Sequence, residues 1–196
     1  MIHYYENNKS EITLVLLHGT GGDEHDLVPL AHDLSQKYNI LSLRGRINEG
    51  GMLRFFRRFD MHNFDLENVK EEATYIANFL KEAKKKYKLR TLVLLGYSNG
   101  ASMIEALLLE DTNLFSGAVL LQPGLLKVDI KFPVNKDFKV FASVSDNDPY
   151  LPVNRQKILT DALDESYDLV VSRHNNGHGL THSVMHDLRK WLNVHM

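Results

Sequence analysis

Ser98 lies in Gly96-Tyr97-Ser98-Asn99-Gly100, and its surroundings mark it as the candidate nucleophile of this chain. An apolar run, Thr91-Leu92-Val93-Leu94-Leu95, precedes the pentapeptide, and an apolar helical pattern follows it through Leu109. Strand, Gly-x-Ser-x-Gly and helix in that order describe a nucleophile elbow, a tight turn that projects the serine oxygen from the edge of a sheet. The glycines belong there because such a turn leaves no room for a Cβ. The pentapeptide alone also occurs in ordinary βα turns; the flanking strand and helix separate the two cases.

A serine hydroxyl attacks carbon only when a base removes its proton and a third group orients that base. On a strand-alternating scaffold the order along the chain is serine, acid, histidine. The later histidines are His174, His178, His182, His186 and His195. His178, in Asn175-Asn176-Gly177-His178-Gly179, occupies a loop just after a predicted strand and is the candidate base. His182 and His186 fall at the start of and within the last predicted helix, where a surface role suffices. The acid belongs in Ser145-Asp146-Asn147-Asp148-Pro149, and spacing does not choose between Asp146 and Asp148. Acyl transfer also needs donors for the developing oxyanion. The Asn99 amide supplies one, and the loop His18-Gly19-Thr20-Gly21-Gly22 supplies a second at the Thr20 amide.

Two rival readings fail on spacing. The glycine-rich loop after the first long strand matches neither the P-loop nor Gly-x-Gly-x-x-Gly, so no nucleotide cofactor is expected. The four-residue spacing of His178, His182 and His186 suggests metal ligands, but Gly177 and Gly179 stop a helix from beginning early enough to align them. No metal and no cofactor are expected.

These residues need a scaffold that ends several strands at one edge. Buried strands are predicted at residues 12–17, 40–43, 118–121 and 140–144, with an extended stretch at 169–172. Helical periodicity appears at 25–36, 66–86, 153–163 and 183–194, the second capped by Asp65. Alternation of strands and helices predicts one α/β domain over residues 1–196, with a mainly parallel sheet covered on both faces. Residues 122–139 form only a short connection between two predicted strands. The irregular stretch 44–61 contains Asn48-Glu49-Gly50-Gly51-Met52 and Arg54-Phe55-Phe56-Arg57-Arg58-Phe59, and is expected to wall the site.

Composition narrows the class further. A chain of 196 residues with 43% hydrophobic and 24% charged residues is that of a globular domain. Net charge −2 steers the molecule to neither nucleic acid nor anionic membrane. With no cysteine, disulfides and thiolate chemistry are absent. The first residues carry no secretory signal pattern and no run is long enough to span a bilayer, so a cytoplasmic location is expected.

The combination Leu17-His18-Gly19-Thr20-Gly21-Gly22-Asp23-Glu24, Asn48-Glu49-Gly50-Gly51-Met52, Gly96-Tyr97-Ser98-Asn99-Gly100, Asp148-Pro149-x-x-Pro152 and Gly177-His178-Gly179 resembles the phospholipase/carboxylesterase family of α/β-hydrolases. Within it, the Arg54-Phe55-Phe56-Arg57-Arg58 segment and Tyr97-Ser98-Asn99-Gly100-Ala101 are similar to the hydrolases of bacterial hydroquinone and quinone resistance. The resemblance implies an α/β-hydrolase fold without a cap, a Ser98–Asp148–His178 triad, and an oxyanion hole at Thr20 and Asn99. It selects Asp148 over Asp146. Ser145 stands where many relatives carry glycine.

The expected activity is hydrolysis of small carboxylic esters through a Ser98 acyl-enzyme. Met52, Phe55, Phe56 and Arg57 are the expected substrate contacts; Phe59 is a further aromatic candidate, and Arg54, Arg57 or Arg58 could meet a substrate anion. Acyl-thioester hydrolysis and non-catalytic binding of quinone-like aromatics are the alternatives. An aromatic loop on an uncapped site is also compatible with a homodimer.

Overall fold

The structure, a computed structural model, describes residues 1–196. Seven strands form one sheet in the order β1(His3–Glu6), β3(Asn39–Leu43), β2(Ile12–Leu17), β6(Thr91–Tyr97), β7(Gly117–Leu121), β8(Lys139–Ser145) and β9(Asp168–His174). All neighbours are parallel except the β1–β3 edge pair. The central strands read as continuous apolar runs because helices cover both faces. Leu14 and Leu16 of β2 turn toward α1(Val28–Leu34) and α5(His182–His195), whereas Val15 and Leu17 turn the other way. That second face is covered by α2(Leu66–Lys86), α3(Asn99–Glu110) and α4(Val153–Ser166). The order reverses between β2 and β6, so the chain leaves these strands in opposite directions and opens a crevice at their carboxyl ends.

The expected strands and the long helices appear within a few residues of their predicted limits. The helix expected at 25–36 is shorter. Asp23 caps a turn by accepting the His25 N–H, and Pro29 stands in the first turn of α1, which runs only from Val28. Two features went unpredicted. β1 is a four-residue edge strand whose Tyr5 stacks on Tyr87 at 4.1 Å. Within the stretch expected to be irregular, β4(Ile47–Glu49) and β5(Met52–Arg54) form a hairpin, turned by Gly50 and Gly51 at positive φ. Residues 122–138 between β7 and β8 carry no regular element and bury Leu125, Leu126, Ile130 and Phe132 in the core. No helix is long and apolar enough to cross a membrane.

One core residue carries a pH signature. Glu105 of α3 is fully buried, its Oε2 accepts the Leu126 N–H at 3.1 Å, and its Oε1 has no partner. Burial pushes its pKa well above the ordinary carboxylate range, so the folded state holds it protonated. A folded pKa raised above the unfolded one gives stability that is complete at acidic pH and lost as pH rises. The urea midpoint should therefore fall as pH rises above the ordinary carboxylate range, and Glu105→Gln should flatten that fall. Parallel pH profiles for the two proteins would overturn the assignment.

Candidate active site

Ser98 sits at φ 53° and ψ −115°, in the left-handed half of backbone space that a non-glycine residue rarely enters. Such a conformation costs about 1–3 kcal/mol and persists only where its surroundings impose it. Here the Ser98 N–H donates to the Leu121 carbonyl at 2.9 Å, and the Ser98 carbonyl accepts the Ser102 N–H at 3.0 Å. The flanking glycines make the turn possible. A Cβ on Gly96 would lie 2.6 Å from the Gly100 carbonyl carbon, and one on Gly100 only 2.0 Å from the Leu17 carbonyl oxygen.

The elbow aims Ser98 Oγ at His178 Nε2, 2.8 Å away, and His178 Nδ1 lies 2.8 Å from Asp148 Oδ2. Asp148 is almost wholly buried, and its other oxygen accepts the Tyr150 N–H at 2.8 Å. A carboxylate at Nδ1 keeps that proton in place and leaves Nε2 free to accept the serine proton. Asp146 lies apart, exposed and paired with Arg173 at 3.2 Å. His174 is held by Gln122 at 2.6 Å, and His182 and His186 ride on α5. No group of three His, Asp or Glu side chains converges as metal ligands.

The loops carrying acid and base are stapled together. Ser145 Oγ donates to Asn147 Oδ1 at 2.8 Å and accepts the Asn176 N–H, while Asn147 Oδ1 also accepts the Gly177 N–H at 2.6 Å. Tyr97 adds a second tether, its hydroxyl donating to the His178 carbonyl at 2.8 Å. Burial, then the nearby Asp148 charge, push the Tyr97 pKa up, so it stays a donor. Tyr150 meets the imidazole edge-on at 4.6 Å between centroids. These positioning residues escaped the sequence reading because each acts through a long-range contact; only Ser145 gave a hint.

Opposite Ser98, the Thr20 N–H has no acceptor in the protein, and the Asn99 N–H opens α3, where no intrahelical acceptor exists. The His18–Gly22 loop is fixed from beneath. His18 Nδ1 donates to the Gly19 carbonyl at 2.6 Å and its Nε2 accepts the Gly45 N–H at 2.9 Å, the neutral tautomer that burial also favours by pushing its pKa down. The hairpin is tied to the same loop: the Gly21 N–H donates to the Leu53 carbonyl at 2.8 Å, and the Phe55 N–H to Asn99 Oδ1 at 2.7 Å.

A cavity of about 580 Å³ opens over Ser98 and His178. Of the expected substrate contacts, Met52 and Phe56 line it. Phe55 does not: it is buried in the core, its ring 4.7 Å from that of His18. Arg57 does not either; it turns outward to Asp65, the N-cap of α2, at 2.9 Å. Phe59 is exposed away from the cavity. The arginines facing the cavity are Arg54 and Arg58, joined by Met61, Phe64 and Tyr150. The β4–β5 hairpin sets the side of Met52 and Arg54, and a lone bridge to Phe64 that of Arg58; a run of arginines and phenylalanines reveals neither pairing.

Comparison with known proteins identifies the family and the fold. A family model described as Phospholipase/Carboxylesterase matches residues 5–196. A Bacillus subtilis (strain 168) protein, MhqD, named as a hydrolase, is 31% identical over 194 residues and 97% of each chain. The crystal structure of a Bacillus cereus carboxylesterase superposes with TM-score 0.93 at 32% identity, covering 99% of this chain and 94% of that one. The structure of YahD with malic acid superposes with TM-score 0.88 at 30% identity, over 100% and 99% of the chains. The mainly parallel α/β-hydrolase fold expected from the sequence is the one these matches share.

The elbow geometry makes a quantitative demand. Gly100→Ala forces a Cβ onto the Leu17 carbonyl, backbone against backbone, and should lower stability by about 3 kcal/mol or prevent folding. Gly179→Ala, whose Cβ would meet nothing closer than 3.4 Å, should change it by less than about 0.5 kcal/mol. Urea denaturation of both variants checks the contrast, and equal losses would refute it.

Proposed function

The chain belongs to the phospholipase/carboxylesterase family, and from that premise we propose that it is a serine carboxylesterase acting on small esters in the cytoplasm. The observation that carries this reading is the unbroken run of 2.8 Å contacts from Ser98 through His178 to Asp148. In the proposed reaction His178 Nε2 takes the Ser98 proton as Oγ attacks the ester carbonyl. The carbonyl π bond opens onto oxygen, and the Thr20 and Asn99 amides meet the charge. Each such donor is worth about 3 kcal/mol in the transition state.

Collapse of the tetrahedral species breaks the bond to the alcohol, which leaves with the proton held on His178. Water then donates a proton to the same nitrogen and attacks the acyl-enzyme. The carboxylic acid departs and Ser98 recovers its hydrogen. Asp148 remains ionised throughout and orients the imidazole. A small cavity lined by charged as well as apolar groups supports short esters over long acyl chains.

A fluorophosphonate should label the protein once, at Ser98, as read by mass spectrometry of the labelled peptide. Ser98→Ala should abolish labelling and lower kcat/KM for 4-nitrophenyl butyrate by at least about a thousandfold. Asp148→Asn should keep the fold and cost about ten-thousandfold in kcat, because the amide favours the wrong imidazole tautomer. Retained ester hydrolysis in Ser98→Ala would overturn the proposal. A thioester of matched acyl length, assayed in parallel, separates thioesterase from esterase action; tight binding of an aromatic quinone without turnover of either would favour the binding-protein alternative.

A further inference from the structure

The least balanced charge in the cavity wall is Arg54. Its side chain is only 3% exposed, yet its hydrogen bonds are confined to Nε with the Phe56 carbonyl at 3.2 Å and Nη1 with Thr20 Oγ1 at 2.7 Å. A guanidinium carries five N–H donors, so most of this fork has no acceptor in the protein. The single carboxylate nearby, Glu49, stands 3.5 Å from Arg54 Nε and 3.7 Å from Arg58 Nε, serving two cations. Asp26, the other charge on the cavity wall, lies beside Gly22 and pairs with neither arginine. A buried cation short of both counter-charge and acceptors is costly. Burial, then the proximity of Arg58, push the Arg54 pKa down, and the opposing pull of the shared Glu49 does not offset them.

We propose that Arg54 and Arg58 form an anion subsite, and that the preferred substrates are small esters bearing a carboxylate a few atoms from the scissile carbonyl. A planar carboxylate matches the guanidinium fork in shape and would supply the missing charge. The subsite adjoins the reacting centre, because the guanidinium that would bind the anion also donates to the side chain of Thr20, whose amide faces the oxyanion. Phe56, in edge contact with Phe64 at 5.2 Å, provides the apolar wall for the carbons between the two polar ends. For its chemistry this inference rests on the esterase reading above; for binding it stands alone.

The test compares matched esters. If the anion lies on the acyl side, mono-4-nitrophenyl glutarate should exceed 4-nitrophenyl pentanoate in kcat/KM at least tenfold. If it lies on the alcohol side, 4-acetoxybenzoate should exceed its methyl ester to the same degree. Arg58→Gln should lower whichever ratio is raised by about tenfold, Arg58→Lys should restore part of it, and Arg57→Gln, which alters an outward-facing pair, should leave it unchanged. Glutarate binding to Ser98→Ala, measured by calorimetry and weakened in Ser98→Ala with Arg58→Gln, reads the subsite without catalysis. Ester turnover with no preference on either side overturns the inference and leaves the esterase reading intact, as does a preference that Arg58→Gln does not reduce. Glutarate binding through Arg58 with no ester cleaved supports the inference while the esterase reading fails. Neither turnover nor binding overturns both.

Discussion

The approach of α3 to the end of β2 is the contact on which the site depends. The Gly100 Cα packs so closely on the Leu17 and His18 carbonyls that no side chain fits between them. That closeness sets the distance between two amides from different segments, Thr20 in the loop after β2 and Asn99 at the first turn of α3. Neither amide is taken up by a backbone acceptor. A wider spacing would leave either amide out of hydrogen-bond range, and no local adjustment could restore both. The strain at Ser98 has the same origin: strand and helix pack this tightly only if the residue joining them takes a positive φ.

Rigidity then spreads outward through buried polar contacts. His18 bridges Gly19 and Gly45, Asn99 reaches from the elbow to the Phe55 amide, and Arg54 reaches from the hairpin to Thr20. The β4–β5 hairpin is thus coupled to the His18–Gly22 loop at two points, Arg54 to Thr20 and Gly21 to Leu53. Buried networks of this kind hold one geometry because breaking any member strands a desolvated group. A cation belongs in such a network only if something completes it, which ties the charge of Arg54 to the identity of the ligand.

Legibility from sequence followed the range of the interactions involved. The central strands and the long helices were readable because their periods are local and both faces of the sheet are apolar. The juxtaposition of Ser98 with Asp148 and His178 was readable in outline, since parallel strands deliver their carboxyl-terminal loops to one edge in chain order. Asp146 and Asp148 were indistinguishable by spacing, because the bond from Tyr150 that turns Asp148 inward depends on the folded turn. Phe55 and Arg57 turn away from the cavity for a related reason. Residues 54–58 alternate between cavity, core and solvent; only Arg54 belongs to the short β5, and Arg58 is placed by an isolated bridge to Phe64, neither of which carries a periodic signal.

Tyr97 shows how one residue can serve fold and site together. Its ring would lie 2.9 Å from a Cβ placed on Gly19, so Gly19 keeps the oxyanion loop close to the elbow. Its hydroxyl holds the His178 carbonyl, fixing the base loop from the opposite side. A shift of Tyr97 would therefore disturb the His18–Gly22 loop and the His178 loop at once. The residue preceding Ser98 thus touches the loop after β2 and the loop after β9 at once.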